Sequence, residues 1–190
     1  ADAHDLAAMV AHALDHDRPT AIRYPKATAP TLPGRRAPLS HGRAEWLREG
    51  ADGALVGCGS LVAACLEAAE RLAQRGVDLS VVNARFAKPI DTDTLARAFG
   101  PRPVGVVVEE GQLIGGFGGA VIETLSDLGI DTRRIVRLGV PDRFIEHATR
   151  EELLDDLGLS AEGIVRAYRQ AEARLGQAQS RQGAAGRIAA

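Results

Sequence analysis

EEGQLIGGFGGAV, residues 109–121, stands between two patterns that are typical of different secondary structures. Before it, the apolar and β-branched run VGVVV at residues 104–108 indicates a buried strand. After it, apolar side chains recur at helical spacing between Val121 and Leu128, so a helix begins inside the glycine cluster. The order strand, glycine turn, helix predicts an α/β crossover, because glycine tolerates positive φ and close backbone contacts.

The glycine turn itself has two interpretations. The free N–H groups and the dipole at a helix N-terminus can hold an anion such as a phosphate. However, the spacing of the glycines does not fit G-x-G-x-x-G, so a dinucleotide site is not indicated. Close packing of the helix against the strand is therefore the favoured interpretation.

Composition narrows the class of protein. The chain has 190 residues, of which 45% are hydrophobic and 25% charged, as in ordinary globular proteins. A net charge of -2 argues against a general nucleic-acid-binding protein, and no run is apolar and long enough to span a membrane.

The two cysteines, Cys58 and Cys65, indicate a reduced, cytoplasmic protein in which both are small buried hydrophobes. Because the chain begins at Ala1 inside an amphipathic helix, we expect a piece of a longer protein.

From residue 41 onward, strand and helix patterns alternate. A short edge strand is predicted around Trp46, and Asp91 and the pair Thr149 and Glu152 are predicted helix caps. Further strands are predicted at 54–59, 77–84, 104–108 and 132–138, with helices at 60–72, 92–98, after the glycine turn, at 149–157 and from 160. This alternation predicts a three-layer α/β domain with a mostly parallel sheet over residues 41–175.

The remaining segments lie on both sides of this domain. Residues 1–26 hold one helical pattern and one short strand, TAIRY at 20–24, and are too little to fold alone, so they predict the end of another domain. Residues 27–40 are rich in proline and predict a linker, and residues 176–190 predict a disordered tail. In the first helix, His12 and His16 have a spacing that can bind metal, but no third ligand is evident and a solvated surface is favoured.

Four segments together resemble the 1-deoxy-D-xylulose-5-phosphate synthase family. They are TAIRYPK at 20–26, VNARFAKPID at 82–91, VEEG with GGFG between 108 and 118, and LGVPDRFIEH at 138–147. The last is the most specific, since related transketolases and 2-oxoacid dehydrogenase β subunits share the fold but usually not this run. The resemblance implies a transketolase C-terminal-like domain preceded by the last helix and strand of a pyrimidine-binding domain.

The resemblance also implies a chemistry. The family condenses pyruvate with glyceraldehyde 3-phosphate to 1-deoxy-D-xylulose 5-phosphate, with release of carbon dioxide, for isoprenoid biosynthesis. It is homodimeric and uses thiamine diphosphate and Mg²⁺, both bound by an N-terminal part that this chain lacks. We therefore expect no catalytic, cofactor-binding or metal-binding residue here, and no activity from this chain alone. The alternatives are a C-terminal subunit of a split transketolase or 2-oxoacid dehydrogenase-like enzyme, and a non-catalytic, anion-binding regulatory module.

One substrate site is implied by the same resemblance. In the family's R-Y-P-R segment the final basic residue contacts the phosphate of glyceraldehyde 3-phosphate, and Lys26 holds that position here, beside Arg23 and Tyr24. Lysine keeps the charge but lacks the bidentate fork of arginine, and Ala27 follows where the family usually has glycine. Lys26, Arg23 and Tyr24 are therefore the candidate substrate-binding residues, and for Arg23 a structural pair is the slightly favoured alternative. For five further residues the resemblance implies domain packing and dimer contacts: Arg85, Glu109, Glu110, Asp142 and His147.

Overall fold

The central element is a five-stranded sheet. The computed structural model describes residues 1–34 and 36–188 of the chain, with side chains up to residue 177. The strand order is β1-β3-β2-β4-β5; β1 pairs antiparallel with β3 at one edge, and the other pairs are parallel. The strands are β1 Glu45–Arg48, β2 Gly53–Cys58, β3 Leu79–Asn83, β4 Gly105–Gln112 and β5 Ile135–Val140. The predicted α/β class, the mostly parallel sheet and the short edge strand around Trp46 are therefore confirmed.

Helices cover both faces of the sheet. The helices are α1 Ala3–Asp15, α2 Val62–Ala73, α3 Thr92–Phe99, α4 Phe117–Asp127, α5 Arg150–Asp156 and α6 Ala161–Ile188. Leu55 of β2 is buried in a core with α2 and α6, whereas the next residue, Val56, is buried in a second core with α3 and α4. Because successive strand side chains point to opposite faces, this division gives three layers. It also explains why the central strands are apolar throughout.

Local signals placed several helix ends as predicted. The side chain of Asp91 accepts a hydrogen bond from the Thr94 N–H at the start of α3. Thr149 and Glu152 form a capping box at the start of α5. Cys65 is fully buried in α2 and Cys58 is half-buried at the end of β2, and both are free thiols. Burial raises the pKa of the Cys65 thiol to about 12, so this sulfur behaves as a small apolar side chain.

Two predicted segments differ from the structure. Residues 20–24 form no strand, since they pair with none of the strands in the part of the chain that is described, and a strand needs such a partner. The predicted disordered tail is helical as far as Ile188, because α6 continues through it; Ala, Gln and Arg all favour the helix intrinsically. Arg35 of the predicted linker and residues 189–190 of the tail lie outside the described residues. The boundaries at residues 26, 40 and 175 stay predictions.

Membrane crossing can be judged from the helices. None of the helices formed by the described residues combines the length and the hydrophobicity that crossing a bilayer requires.

Candidate functional site

The carboxyl ends of β2 and β4 lie side by side, with Cys58 opposite Glu109 in the parallel ladder. In open α/β sheets this edge is where ligands bind. Glu109 and the glycine turn follow directly, and the segment of Arg23 and Lys26 lies against the same edge. This group of residues is the candidate site.

The glycine turn already holds an anion, which is the chain's own Glu109 carboxylate. Its two oxygens accept hydrogen bonds from the Phe117 N–H at 2.9 Å and the Gly118 N–H at 2.7 Å. Glu109 is only 6% exposed. A negative charge at a helix N-terminus is stabilised by the unpaired N–H groups and by the helix dipole. Glu109 therefore caps α4 from the neighbouring strand, and the position that a bound phosphate would take is filled.

The glycines of the turn are required by this carboxylate. A Cβ atom on Gly116 would lie 2.6 and 2.7 Å from the Glu109 oxygens and 1.9 Å from the Gln112 carbonyl oxygen. A Cβ atom on Gly111 would lie 2.6 Å from the same carboxylate. No real Cβ atom approaches other atoms so closely. The packing interpretation of the glycine cluster is thus the one the structure supports.

Glu110 is held as a carboxylate by its neighbours. It accepts hydrogen bonds from Ser60 Oγ at 2.6 Å and Arg150 Nε at 2.8 Å. Partial burial alone would raise the pKa of Glu110, but the hydrogen bonds from Arg150 and Ser60 outweigh it and lower the pKa. A general acid needs a raised pKa, which Glu110 does not have. Its hydrogen bonds instead connect β4 to α5 and to Ser60, which is a structural role.

The segment of Arg23, Tyr24 and Lys26 is anchored at this edge by one contact. Arg23 Nη2 donates a hydrogen bond to the main-chain carbonyl of Glu110. Tyr24 is 66% exposed, and Lys26 is exposed and has no hydrogen bond or ion pair with any of the described residues. Arg23 is thus bonded to the main chain of β4, while the ammonium group of Lys26 is available to a ligand, and the substrate-binding roles of Arg23, Tyr24 and Lys26 stay predictions.

A buried group of charges attaches the N-terminal segment to the domain. Arg36 pairs with Asp2, with Asp5 at 3.1 Å and with Glu45, and Arg85 pairs with Asp5 at 3.2 Å and Glu45 at 3.1 Å. Their side chains are 1–6% exposed. We call these five residues the ionic cluster. Arg85 adopts a φ of 57°, an unusual left-handed backbone that its buried partners hold in place.

The carboxylates of the ionic cluster stay ionised. For Asp2, burial alone would raise the pKa, but the N–H groups of Asp5 and Leu32 and the charge of Arg36 lower it overall. For Glu45, burial is likewise outweighed by Arg36, and the pKa is lowered. The sequence interpretation of Arg85 as a packing residue agrees with this geometry.

The loop that carries Asp142 and His147 is separate from the ionic cluster. Both residues are exposed, and the ring of Phe144 between them is fully exposed at 103%. Neither Asp142 nor His147 forms an ion pair with the described residues. Their expected roles in domain packing and dimer contacts stay predictions.

The family is decided by a match over residues 42–164 to the model of "Transketolase, C-terminal domain". The chain belongs to the transketolase C-terminal domain family. The matched region runs from the turn before β1 into α6, so it contains the whole sheet and the Glu109-capped glycine turn.

This transketolase C-terminal domain has sequence relatives among 1-deoxy-D-xylulose-5-phosphate synthases. The synthase of Rhodopirellula baltica is 41% identical over 92% of the chain, and synthase 1 of Geobacter metallireducens is 45% identical over 86%. The chain spans 27% and 26% of these two relatives, respectively, and corresponds to their C-terminal quarter. The resemblance seen in the sequence is confirmed at this level.

A solved structure shares the fold of this transketolase C-terminal domain. It is described as "Split gene transketolase, inactive beta4 tetramer" and matches with a TM-score of 0.79 at 34% identity. The match covers 90% of this chain and 55% of the other chain. The transketolase C-terminal-like fold is therefore confirmed.

Relatives in this family of enzymes use thiamine diphosphate, but the glycine turn of this transketolase C-terminal domain does not fit the diphosphate of that cofactor. The diphosphate would need free N–H donors, and those of the glycine turn are bonded to Glu109. Mg²⁺ prefers oxygen ligands, whereas the only group of potential metal ligands found among the described residues consists of three histidines.

Sequence reasoning missed the partners of several residues. Ser60 and Arg150 beside Glu110, and Arg36 and Glu45 beside Arg85, come from distant parts of the chain, and no local pattern joins them. It also missed His41 as a neighbour of His12 and His16. The one feature of the sequence that marks His41 is its position beside Gly42, because a glycine between the predicted linker and the predicted edge strand indicates a turn.

Proposed function

We propose that the chain is the C-terminal part of a thiamine-diphosphate-dependent synthase that condenses pyruvate with glyceraldehyde 3-phosphate to 1-deoxy-D-xylulose 5-phosphate. The observation that carries the proposal is the anchored segment of residues 20–26. Arg23 ties this segment to the carboxyl end of β4, and Lys26, three residues on, is exposed and has no ion pair with any described residue. Identity of 41–45% to synthases of this name supports the substrate assignment.

Lys26 is proposed to bind the phosphate of glyceraldehyde 3-phosphate. An ammonium group is a point charge with three donors, so it holds a phosphate without the planar fork that arginine offers. Arg23 acts through its bond to the Glu110 carbonyl, which fixes the start of the segment. Tyr24 lies between them with most of its ring exposed and is proposed to line the same substrate site.

The rest of the synthase is proposed to supply the missing functions. It binds thiamine diphosphate and Mg²⁺, and it forms the cytoplasmic homodimer. The apolar face of α1 supports such a partner, because Leu14 is 82% and Val10 44% exposed. Leu6 and Ala29 line the same shallow groove. A contiguous apolar face of this kind is typical of a surface that another protein body covers.

The test is product formation by reconstitution. We expect the chain alone to be inactive, and a mixture with the separately expressed N-terminal portion of such a synthase, thiamine diphosphate and Mg²⁺ to form product. In that mixture Lys26→Ala should raise the KM for glyceraldehyde 3-phosphate about 10- to 100-fold, since a hydrogen bond to a charged group contributes about 1.5–3 kcal/mol. The KM for pyruvate should stay unchanged.

Lys88 provides the matched control for this experiment. Lys26 and Lys88 are the only lysines of the chain, and both are exposed. Lys88→Ala removes an equal charge from the loop after β3 and should leave both KM values unaltered. Equal effects of the two substitutions would contradict the assignment of Lys26. Activity of the chain alone would contradict the proposal that the rest of the synthase binds thiamine diphosphate and Mg²⁺.

A second candidate is a separately encoded C-terminal subunit of a split transketolase-like enzyme. The structural match to a split gene transketolase favours it. The same reconstitution separates the two candidates by substrate. A split transketolase should use a ketose phosphate as donor, whereas the synthase should require pyruvate and release carbon dioxide.

A further inference from the structure

Three imidazole rings stack at the surface beside the N-terminal helix. His12 lies in the last turn of α1 and His16 is the C-cap residue of the same helix, with ring centroids 5.4 Å apart and planes at 25°. The ring of His41 stacks on His16 with centroids 4.7 Å apart and planes at 26°. His12 Nε2 and His41 Nδ1 are 3.0 Å apart. We call these three residues the histidine cluster.

The fold builds this cluster from two unrelated elements. His41 lies in a turn closed by a hydrogen bond of 3.1 Å from the Arg43 N–H to the Ser40 carbonyl. Gly42 in that turn has a φ of +66°, which favours glycine. The edge of the Phe86 ring supports the rings of both His12 and His41, at centroid distances of 6.0 and 5.7 Å.

We propose that His12, His16 and His41 bind one Zn²⁺ ion, with water as the fourth ligand. One nitrogen from each ring lies within 4.8 Å of the others. In a tetrahedral site with Zn–N bonds of about 2.0–2.1 Å, such nitrogens are about 3.3–3.4 Å apart. Because the lone pair of each nitrogen lies in its ring plane, binding requires the stacked rings to turn until their planes meet at the ion.

The chemistry of the cluster favours transition-metal ions such as Zn²⁺ over Mg²⁺ and Ca²⁺. Neutral imidazole nitrogens suit Zn²⁺, Ni²⁺ and Cu²⁺, whereas Mg²⁺ and Ca²⁺ require oxygen ligands, and no carboxylate belongs to the cluster. The N–H···N contact between His12 and His41 already places one ring proton where the ion sits. On binding, that proton moves to the other nitrogen of its ring, so each ligand stays neutral and gives a lone pair to the metal.

The ion would fix both ends of a functional segment. His16 and His41 flank residues 17–40, which include Arg23 and Lys26. A metal bond between α1 and the turn before β1 closes this segment into a loop, which restricts its freedom in the folded chain. This inference does not depend on the proposed function, because the metal binds residues of this chain alone.

Metal titration of the full chain, purified without a histidine tag and stripped with a chelator, is the test. We expect one Zn²⁺ per chain by calorimetry, and a visible absorption band of tetrahedral type when Co²⁺ is added in its place. His41→Ala should weaken binding at least tenfold and abolish the band. Added Zn²⁺ should raise the Tm of the unaltered chain and leave that of His41→Ala unchanged.

His4→Ala is the matched control, since His4 also lies on α1 and is exposed, but stands outside the cluster. It should bind Zn²⁺ as the unaltered chain does. His16→Gln provides a second variant, and metal-free circular dichroism and Tm establish that each variant is folded. The proposal is overturned if the unaltered chain binds no Zn²⁺, or if folded His41→Ala and His16→Gln bind it with unchanged affinity.

Discussion

At the scale of single residues, Glu109 determines how the glycine turn works. Its carboxylate accepts from two N–H groups at the start of α4 while almost completely buried. Glu109→Gln keeps the shape but offers only one oxygen, so one N–H group loses its acceptor beside an amide donor. An unsatisfied buried polar group costs about 1–3 kcal/mol. We expect urea denaturation to show a loss of this size in the free energy of unfolding.

Glu123→Gln is the control for that measurement. Glu123 lies on the exposed side of the same helix and carries the same charge. Its substitution should leave the unfolding midpoint almost unchanged. An equal loss in both variants would show that the effect comes from the net charge of α4 and not from the cap.

Sequence reasoning reached Glu109 only in part. The strand end, the glycines and the helix start were all readable, because each depends on neighbouring residues. The spacing of the glycines indicates packing rather than a bound phosphate, but nothing in the local sequence identifies Glu109 as the anion at the helix N-terminus. That contact depends on the strand and the helix N-terminus meeting in space, at a separation of eight or nine residues that no capping pattern covers.

At the scale of elements, α4 offers a matched pair of glycines. A Cβ atom on Gly116 would overlap the Gln112 carbonyl and the Glu109 carboxylate, whereas one on Gly119 would meet only Arg137 Nη1, at an ordinary 3.8 Å. Gly116→Ala should therefore destabilise the domain by about 1–3 kcal/mol through overpacking. Gly119→Ala should stabilise it by about 0.5–1 kcal/mol, because alanine favours the helix.

Thermal and urea unfolding of both variants check this pair. Loss of stability in both would mean that α4 needs glycine throughout and that the contact with Glu109 is not decisive. No loss in Gly116→Ala would mean that the turn relaxes easily, which would contradict the cap as a fixed structure.

The elements differ in how well local sequence predicts them. The β2 to β4 region follows its pattern closely, because its strands are apolar and its helices carry caps such as Asp91. Residues 20–24 have a strand-like composition but form no ladder of backbone hydrogen bonds with any strand of the described chain, so their composition alone predicts the wrong structure. Residues 176–188 continue α6, although they include three glycines, so the sequence alone did not predict this helix.

At the scale of the whole molecule, the ionic cluster joins four distant stretches into one contact. Asp2 and Asp5 come from α1 and its cap, Arg36 from the predicted linker, Glu45 from β1 and Arg85 from the loop after β3. No sequence pattern predicts such a group, because an isolated charged residue in a sequence is indistinguishable from an ordinary surface residue. Its consequence is that residues 1–16 are held to the edge of the sheet.

Arg85→Ala tests this attachment. The substitution leaves the buried carboxylates of Asp5 and Glu45 with one fewer cation, and breaking a buried pair in this way costs about 3–5 kcal/mol. It also removes hydrogen bonds of 3.2 and 2.8 Å to the carbonyls of Pro38 and Ala37. We expect a large drop in the free energy of unfolding, with the amides of α1 losing their protection from hydrogen exchange first.

Arg71→Ala is the matched control, because Arg71 also pairs with two carboxylates, but its side chain is 45% exposed and those of Glu67 and Glu162 are 55% and 53% exposed. Exposed pairs are screened by water and contribute little, so this variant should unfold close to the midpoint of the unaltered chain. If the two variants lost equal stability, burial would not be the reason for the strength of the cluster. If Arg85→Ala lost stability while α1 kept its protection, the cluster would stabilise the sheet edge without holding the N-terminal segment, and another contact, such as the Ala3 N–H to the Pro30 carbonyl, would have to hold that segment.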